Sequence, residues 1–149
     1  MSAFDGDWAA LGPKEFADLV KKASNDDLKQ VLQSDKRDAV LGEVFGRMPG
    51  LFRPEKAGTL NAVIHWIVGD RADGGYDTYE IVLADGKCEL SPGPAHDPKV
   101  ALTLGGVDFL KVVSGNANPV MLFMSGKLKA KGDLGLAANI ANYFDIPKA

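Results

Sequence analysis

Hydrophobic positions change period once along this chain, near residue 60, and the change divides the sequence into a helical part and a strand-rich part. Pro13-Lys14-Glu15-Phe16-Ala17-Asp18-Leu19-Val20 sets Phe16, Leu19 and Val20 on one helical face, with Pro13 suited to a first helical turn. Ser24 or Asn25 can cap a second helix carrying Leu28, Val31 and Leu32. A third segment, Asp38 to Met48, repeats the spacing through Val40, Leu41, Val44, Phe45 and Met48. Pro49-Gly50 is expected to stop it, because proline cannot continue the hydrogen-bonded turn and glycine tolerates the reversal.

From Leu60 the period falls to two. Ala62, Ile64, Trp66 and Val68 alternate with Val63, His65 and Ile67, which predicts a strand with one strongly apolar face. Residues 69–75 are turn composition. Tyr79, Ile81 and Leu83 then alternate with Thr78, Glu80 and Val82, and Asp85-Gly86 signals a tight hairpin into a third strand, Lys87 to Ser91. Residues 92–98 hold three prolines and read as a loop. Val100, Leu102 and Leu104 make a fourth strand. Gly105-Gly106 turns into a short helix with Phe109, Leu110, Val112 and Val113, closed by Gly115.

Asn118-Pro119 opens the next helix, with Asn as cap and Pro at the first position. Its body, Val120-Met121-Leu122-Phe123-Met124, is apolar all the way round and so should be covered on every side. It is either a central core helix or one whose side lines a cavity, where unbranched methionines adapt to irregular guests. A fifth strand, Lys127 to Lys131, presents Lys127, Lys129 and Lys131 on one face and Leu128 and Ala130 on the other. The lysines read as a solvated face that protects an edge strand, or as a contact for anionic lipid headgroups at a membrane surface. A last helix, Leu134 to Phe144, carries Ala137, Ile140, Ala141 and Phe144 along one side.

Composition narrows the class. The 149 residues fit one domain, and 46% hydrophobic with 25% charged residues is ordinary for a globular protein. A net charge of −3 argues against nucleic-acid binding. The longest apolar run, Val120 to Met124, is far too short to span a bilayer. Met1-Ser2-Ala3-Phe4-Asp5 has neither the basic start nor the apolar stretch of a secretory signal, and Cys88 stands alone, so no internal disulfide is expected. A cytoplasmic protein fits all of this.

Candidate chemistry is sparse. His65 and His96 lie in a strand and a loop, at no spacing suited to zinc, and no second cysteine exists, so neither a metal nor a cofactor is expected. There is no G-x-S-x-G nucleophile turn, no calcium loop and no phosphate-binding G-x-G-x-x-G. Cys88 reads as a small buried hydrophobe.

The ordered set Ile64-His65-Trp66-Ile67-Val68, Leu83-Ala84-Asp85-Gly86-Lys87, Val100-Ala101-Leu102-Thr103-Leu104 into Asp108-Phe109-Leu110, Gly115-Asn116-Ala117-Asn118-Pro119 and Phe123-Met124-Ser125-Gly126-Lys127-Leu128-Lys129 resembles the sterol carrier protein type 2 family of non-specific lipid-transfer proteins. The likeness runs from about Leu60 to Phe144. The earlier stretch, with Phe45-Gly46-Arg47-Met48 and Phe52-Arg53-Pro54-Glu55-Lys56-Ala57, looks like the leader of stand-alone bacterial-type members. The resemblance implies a five-stranded sheet with helices over one face, an apolar tunnel between them, and binding of sterols, fatty acids, acyl thioesters or phospholipids. The chain ends Pro147-Lys148-Ala149, not in the peroxisomal tripeptide of eukaryotic members.

The resulting expectation is an α+β fold, a single lipid-binding domain over 1–149 with a helical leader at about 12–50 and a sterol-carrier-like core at about 58–146. Its mostly antiparallel sheet should be covered on one face by helices. The cavity should lie between Ile64, Trp66, Ile81, Leu83 and Leu102 on the sheet and Phe109, Val113, Met121, Phe123, Met124, Leu136, Ile140 and Phe144 on the helices. The partner is a lipid or other apolar small molecule, carried without chemistry and with transient membrane contact. Two rivals remain. An isomerase or hydrolase on an apolar substrate would need His65, Glu80 or Asp108, of which alternation puts His65 and Glu80 on the face opposite the apolar one. An interaction module would dock a partner enzyme or a second copy through an exposed apolar surface.

Overall fold

Three helices precede the sheet: α1 (Pro13–Lys22), α2 (Asn25–Leu32) and α3 (Arg37–Leu51). The computed structural model describes residues 13–91 and 96–144, so Met1 to Asp5, Pro147 to Ala149 and residues 92–95 of the proline-bearing loop lie outside the described residues. Ser24 caps α2, its hydroxyl accepting from the Asp27 N–H at 3.1 Å. The expected stop at Pro49-Gly50 does not occur, for α3 runs on to Leu51. Proline's fixed φ is itself helical, and this close to the helix end its ring disturbs only a single turn. Phe52 then becomes extended (φ −66°, ψ 137°) and bridges to Phe144. A short α4 (Pro54–Ala57) follows, which the hydrophobic pattern had not announced.

The five strands are β1 (Ala62–Val68), β2 (Asp77–Ala84), β3 (Lys87–Leu90), β4 (Val100–Leu104) and β5 (Leu128–Gly132), ordered β3-β2-β1-β4-β5. β1 runs parallel to β4 and every other pair is antiparallel. Asp85 and Gly86 both take positive φ (53° and 73°), as the tight hairpin between β2 and β3 requires. Gly132 ends β5 at φ 107°, where a Cβ would collide with the Lys99 carbonyl. Register sets Trp66 opposite Tyr79 and Leu102, and Ile64 opposite Ile81. The apolar parity read from the sequence is therefore continuous across three strands.

α2, α3 and α5 (Gly106–Val113) cover that face. Phe45 stacks on Tyr79 at 4.1 Å and on Phe109 at 5.0 Å, while Trp66 meets Phe109 edge-on at 5.3 Å. Polar ties lock the layers. Arg37 is buried, yet its guanidinium donates to Asp77 Oδ2 (2.8 Å), the Gly69 carbonyl (2.9 Å) and the Val68 carbonyl (2.9 Å). Asp70 accepts from the Val107 N–H at 3.0 Å and so holds the start of α5 against the end of β1. The remaining elements are α6 (Pro119–Met124), α7 (Leu134–Asn139) and a turn of 3₁₀ helix (Ile140–Tyr143). The single last helix expected over 134–144 is thus divided at Asn139, where the Ile140 N–H reaches back three residues to the Ala137 carbonyl.

Candidate functional site

The open end of the helical layer is built by α6 and α7, both held by side-chain caps. The Val120 N–H donates to Asn118 Oδ1 at 2.8 Å, and the Leu136 N–H donates to Asp133 Oδ1 at 3.0 Å. The connection into α6 is anchored by Asn116, whose amide donates to the Ala17 carbonyl (3.1 Å) and to Ser114 Oγ (2.9 Å). These caps fix where each helix begins. They do not press the two helices together.

Between α4, the end of α5, the start of α6 and α7 lies an open groove of about 850 Å³. Val112, Ala117, Pro119, Val120, Ala138 and Phe144 supply its apolar wall, and Arg53, Lys56, Asn116, Asn118 and Asn142 its polar border. Adjoining it, between α6, β5 and α7, is a crevice of about 70 Å³ bounded by Pro119, Val120, Phe123, Leu128, Leu134, Ala137 and Ala138. Pro119, Val120 and Ala138 line both, so the two spaces adjoin at those residues. Cys88 borders a separate hollow of about 270 Å³ near the β2–β3 hairpin. Its own burial, reinforced by the neighbouring Glu89 charge, pushes the thiol pKa up to about 12, so no thiolate nucleophile is available there at neutral pH.

The residues expected to line a cavity divide into groups. Phe123 borders the crevice and Phe144 the groove. Leu136 and Ile140 are buried, and Val113 is half-buried at the end of α5. Ile64, Trp66, Ile81, Leu83, Leu102 and Phe109 are buried in the layer between the sheet and its helices. There Trp66 Nε1 is the one buried side-chain polar atom without a hydrogen-bond partner among the described residues. Met121 and Met124 are 69% and 80% exposed. The expectation that residues 120–124 are covered on every side is therefore overturned: α6 is a surface helix. Sequence reasoning missed Pro119, Ala138, Arg53 and Lys56, which carry no periodic apolar signal and meet only through the fold.

The acid–base candidates are arranged differently. His65 and Glu80 are cross-strand partners on the far face of the sheet, away from the helices, as alternation required. Glu80 is fully buried, and its carboxylate accepts from His65 Nε2 (3.0 Å), the His96 N–H (2.9 Å) and His96 Nδ1 (3.0 Å). Burial by itself would raise the Glu80 pKa, but the hydrogen bonds from His96, His65 and Ser91 outweigh it and hold the carboxyl far below its ordinary range. Such a group accepts hydrogen bonds and releases no proton at neutral pH. Asp108 sits on α5, on the opposite side of the sheet, so the three candidates do not converge. Among the described residues no group of three or more His, Cys, Asp or Glu is placed to hold a metal ion, and no helix is long and apolar enough to cross a membrane.

A family model described as the SCP-2 sterol transfer family matches residues 51–145. Hydroxysteroid dehydrogenase-like protein 2 of Xenopus tropicalis is 32% identical over 101 residues, covering 67% of this chain and 24% of the relative. The solved structure of apo sterol carrier protein 2 from Yarrowia lipolytica superposes with a TM-score of 0.55 at 26% identity, covering 76% of this chain and 94% of that one. The sec-alkylsulfatase Pisa1 of Pseudomonas sp. contains the same fold: a TM-score of 0.61 at 14% identity spans 72% of this chain and 17% of the sulfatase. The chain covers 24% and 32% of the length of the Xenopus tropicalis and Danio rerio dehydrogenase-like relatives, so it corresponds to a minor part of those proteins.

Proposed function

The chain belongs to the SCP-2 sterol transfer family, and from that premise we propose that it takes up the apolar part of a lipid at the groove and crevice around α6 and transfers it chemically unchanged. The observation that carries this reading is the lining itself. The groove volume of about 850 Å³ falls within the range of small-molecule sites, and its described lining contains neither an acid nor a histidine. A general acid or base must come within hydrogen-bond reach of the atoms it serves, and the His65–Glu80–His96 cluster lies across the sheet. Val120, Phe123, Ala138 and Phe144 are the residues we assign to lipid contact.

Apolar burial alone is sufficient drive. One methylene contributes about 0.8 kcal/mol, so an acyl chain of about fifteen gives roughly 12 kcal/mol gross. Ordering and association costs of several kcal/mol leave an affinity near micromolar or tighter. Sterol, fatty acid, acyl thioester and phospholipid all meet this requirement.

Native mass spectrometry of the purified protein tests the reading, followed by incubation with sterols, fatty acids and acyl thioesters and chemical recovery of each. Bound lipid recovered intact is the expected result. Turnover abolished by His65→Ala, Glu80→Gln or Asp108→Asn would overturn the carrier reading in favour of an enzyme.

A further inference from the structure

We propose that Arg53 and Lys56 make the groove select lipids that end in an anion, a carboxylate or a phosphate, over neutral lipids of the same apolar size. The inference rests on the carrier reading and narrows its cargo. Apolar burial favours every lipid class alike, so a preference among them has to arise at the polar border. Among the described lining residues only Arg53 and Lys56 are charged, and both are cationic, in a chain whose net charge is −3.

Local structure puts them there. Arg53 is the N-cap of α4, and the Lys56 N–H donates to the Arg53 carbonyl at 3.0 Å, closing one turn. Residues three apart share a helical face, so both border the groove, while Glu55 between them does not line it. The turn is tied down on its other side. The Arg53 N–H donates to the Tyr143 carbonyl at 2.7 Å, beside the Phe52–Phe144 bridge. The two cations therefore stand at a fixed place next to Phe144 of the apolar wall. Asn118 Oδ1 already accepts from the Val120 N–H, so that side chain offers the groove its amide hydrogens, which are donors. An ionised carboxylate or phosphate accepts from such groups and is attracted by both charges, whereas a hydroxyl gains only a hydrogen bond. At a water-exposed rim each ion pair contributes up to about fivefold in affinity, so the two together set a preference of roughly tenfold.

The test is calorimetric titration of the full chain with monomeric lauric acid, lauryl phosphate and lauryl alcohol, which share one alkyl chain. Each is run at low and high salt, with acetate and inorganic phosphate as headgroups without a tail. Wild type should bind the acid and the phosphate roughly tenfold tighter than the alcohol, and the gap should narrow as salt rises. The pair Arg53→Gln with Lys56→Gln should close the gap. Lys56→Gln alone, at an exposed side chain, should narrow it about fivefold or less at unchanged melting temperature, and this variant carries the test if the pair fails to fold. Equal wild-type affinity for acid and alcohol overturns the proposal, and so does a gap that both variants and high salt leave untouched. Acetate or inorganic phosphate bound as tightly as the lipids overturns it too, since the site would then hold a small anion and no lipid headgroup. Binding of all three lipids alike removes the selection and leaves the carrier, whereas binding of none removes the carrier reading beneath it.

Discussion

α5 and α6 follow one another in the chain and invert the usual relation between oiliness and burial. α5, Gly106-Val107-Asp108-Phe109-Leu110-Lys111-Val112-Val113, contains two charges, yet Phe109 and Leu110 are completely buried. α6, Pro119-Val120-Met121-Leu122-Phe123-Met124, contains no charge, yet Met124 is 80% exposed. The difference lies in what stands opposite. α5 faces Trp66 on the sheet and Phe45 from α3, which close over Phe109 from two directions. α6 faces the edge strand β5 and the small residues of α7, which leave the crevice between them, and the groove opens at its start. Burial follows from available partners, and a helix left short of partners is free to serve a guest.

The largest way to break the comparison is Phe109→Ala, which should cost about 3–5 kcal/mol in urea or thermal unfolding because the aromatic stack cannot collapse onto the void. A cost below that of an exposed substitution would mean that α5 is as loosely held as α6.

Glu80 sharpens the contrast from the opposite direction, as a charged side chain with no exposure that is satisfied by its neighbours. Glu80→Gln should destabilise by about 1–3 kcal/mol at neutral pH, because histidine donors remain aimed at a site that has lost its charge. The folded carboxyl titrates below its ordinary value of 4.5, so the unfolded chain binds the proton first. The stabilisation is therefore complete above about pH 4.5 and is lost as pH falls through the lower, folded-state value. Stability curves of wild type and variant should converge in acid. Parallel curves down to low pH would assign the effect to packing.

Phe123→Asp should separate binding from folding. Phe123 is 45% exposed, so unfolding should shift by only about 1 kcal/mol, while uptake of a fluorescent fatty acid falls roughly tenfold as the carboxylate draws water into the crevice. A folded variant that binds as well as wild type would remove Phe123 from the lining. The smallest effect belongs to Met121→Ser, within about 0.5 kcal/mol of wild type, since an outward side chain loses little on truncation. A loss of several kcal/mol there would show that something covers α6.

Strand parity, the hairpin at Asp85-Gly86 and the helix starts at Ser24, Asn118 and Asp133 are legible in the chain because each is decided within a few residues. Alternation alone placed His65 and Glu80 on one face and Ile64 and Ile81 on the other, since the side-chain period of a strand admits no third direction. It could not announce that Glu80 would be sealed by His96 from a loop sixteen residues on, nor that Arg53 and Lys56 would border the same groove as Pro119 and Ala138. Composition likewise marked residues 120–124 as oily without saying whether anything would cover them. Hydrogen bonding and sterics along the backbone act over one turn or one strand pair, and these the sequence states by itself. Which surfaces meet, and where they fail to meet and leave a groove, depends on the packing of distant segments, and only the tertiary structure decides that.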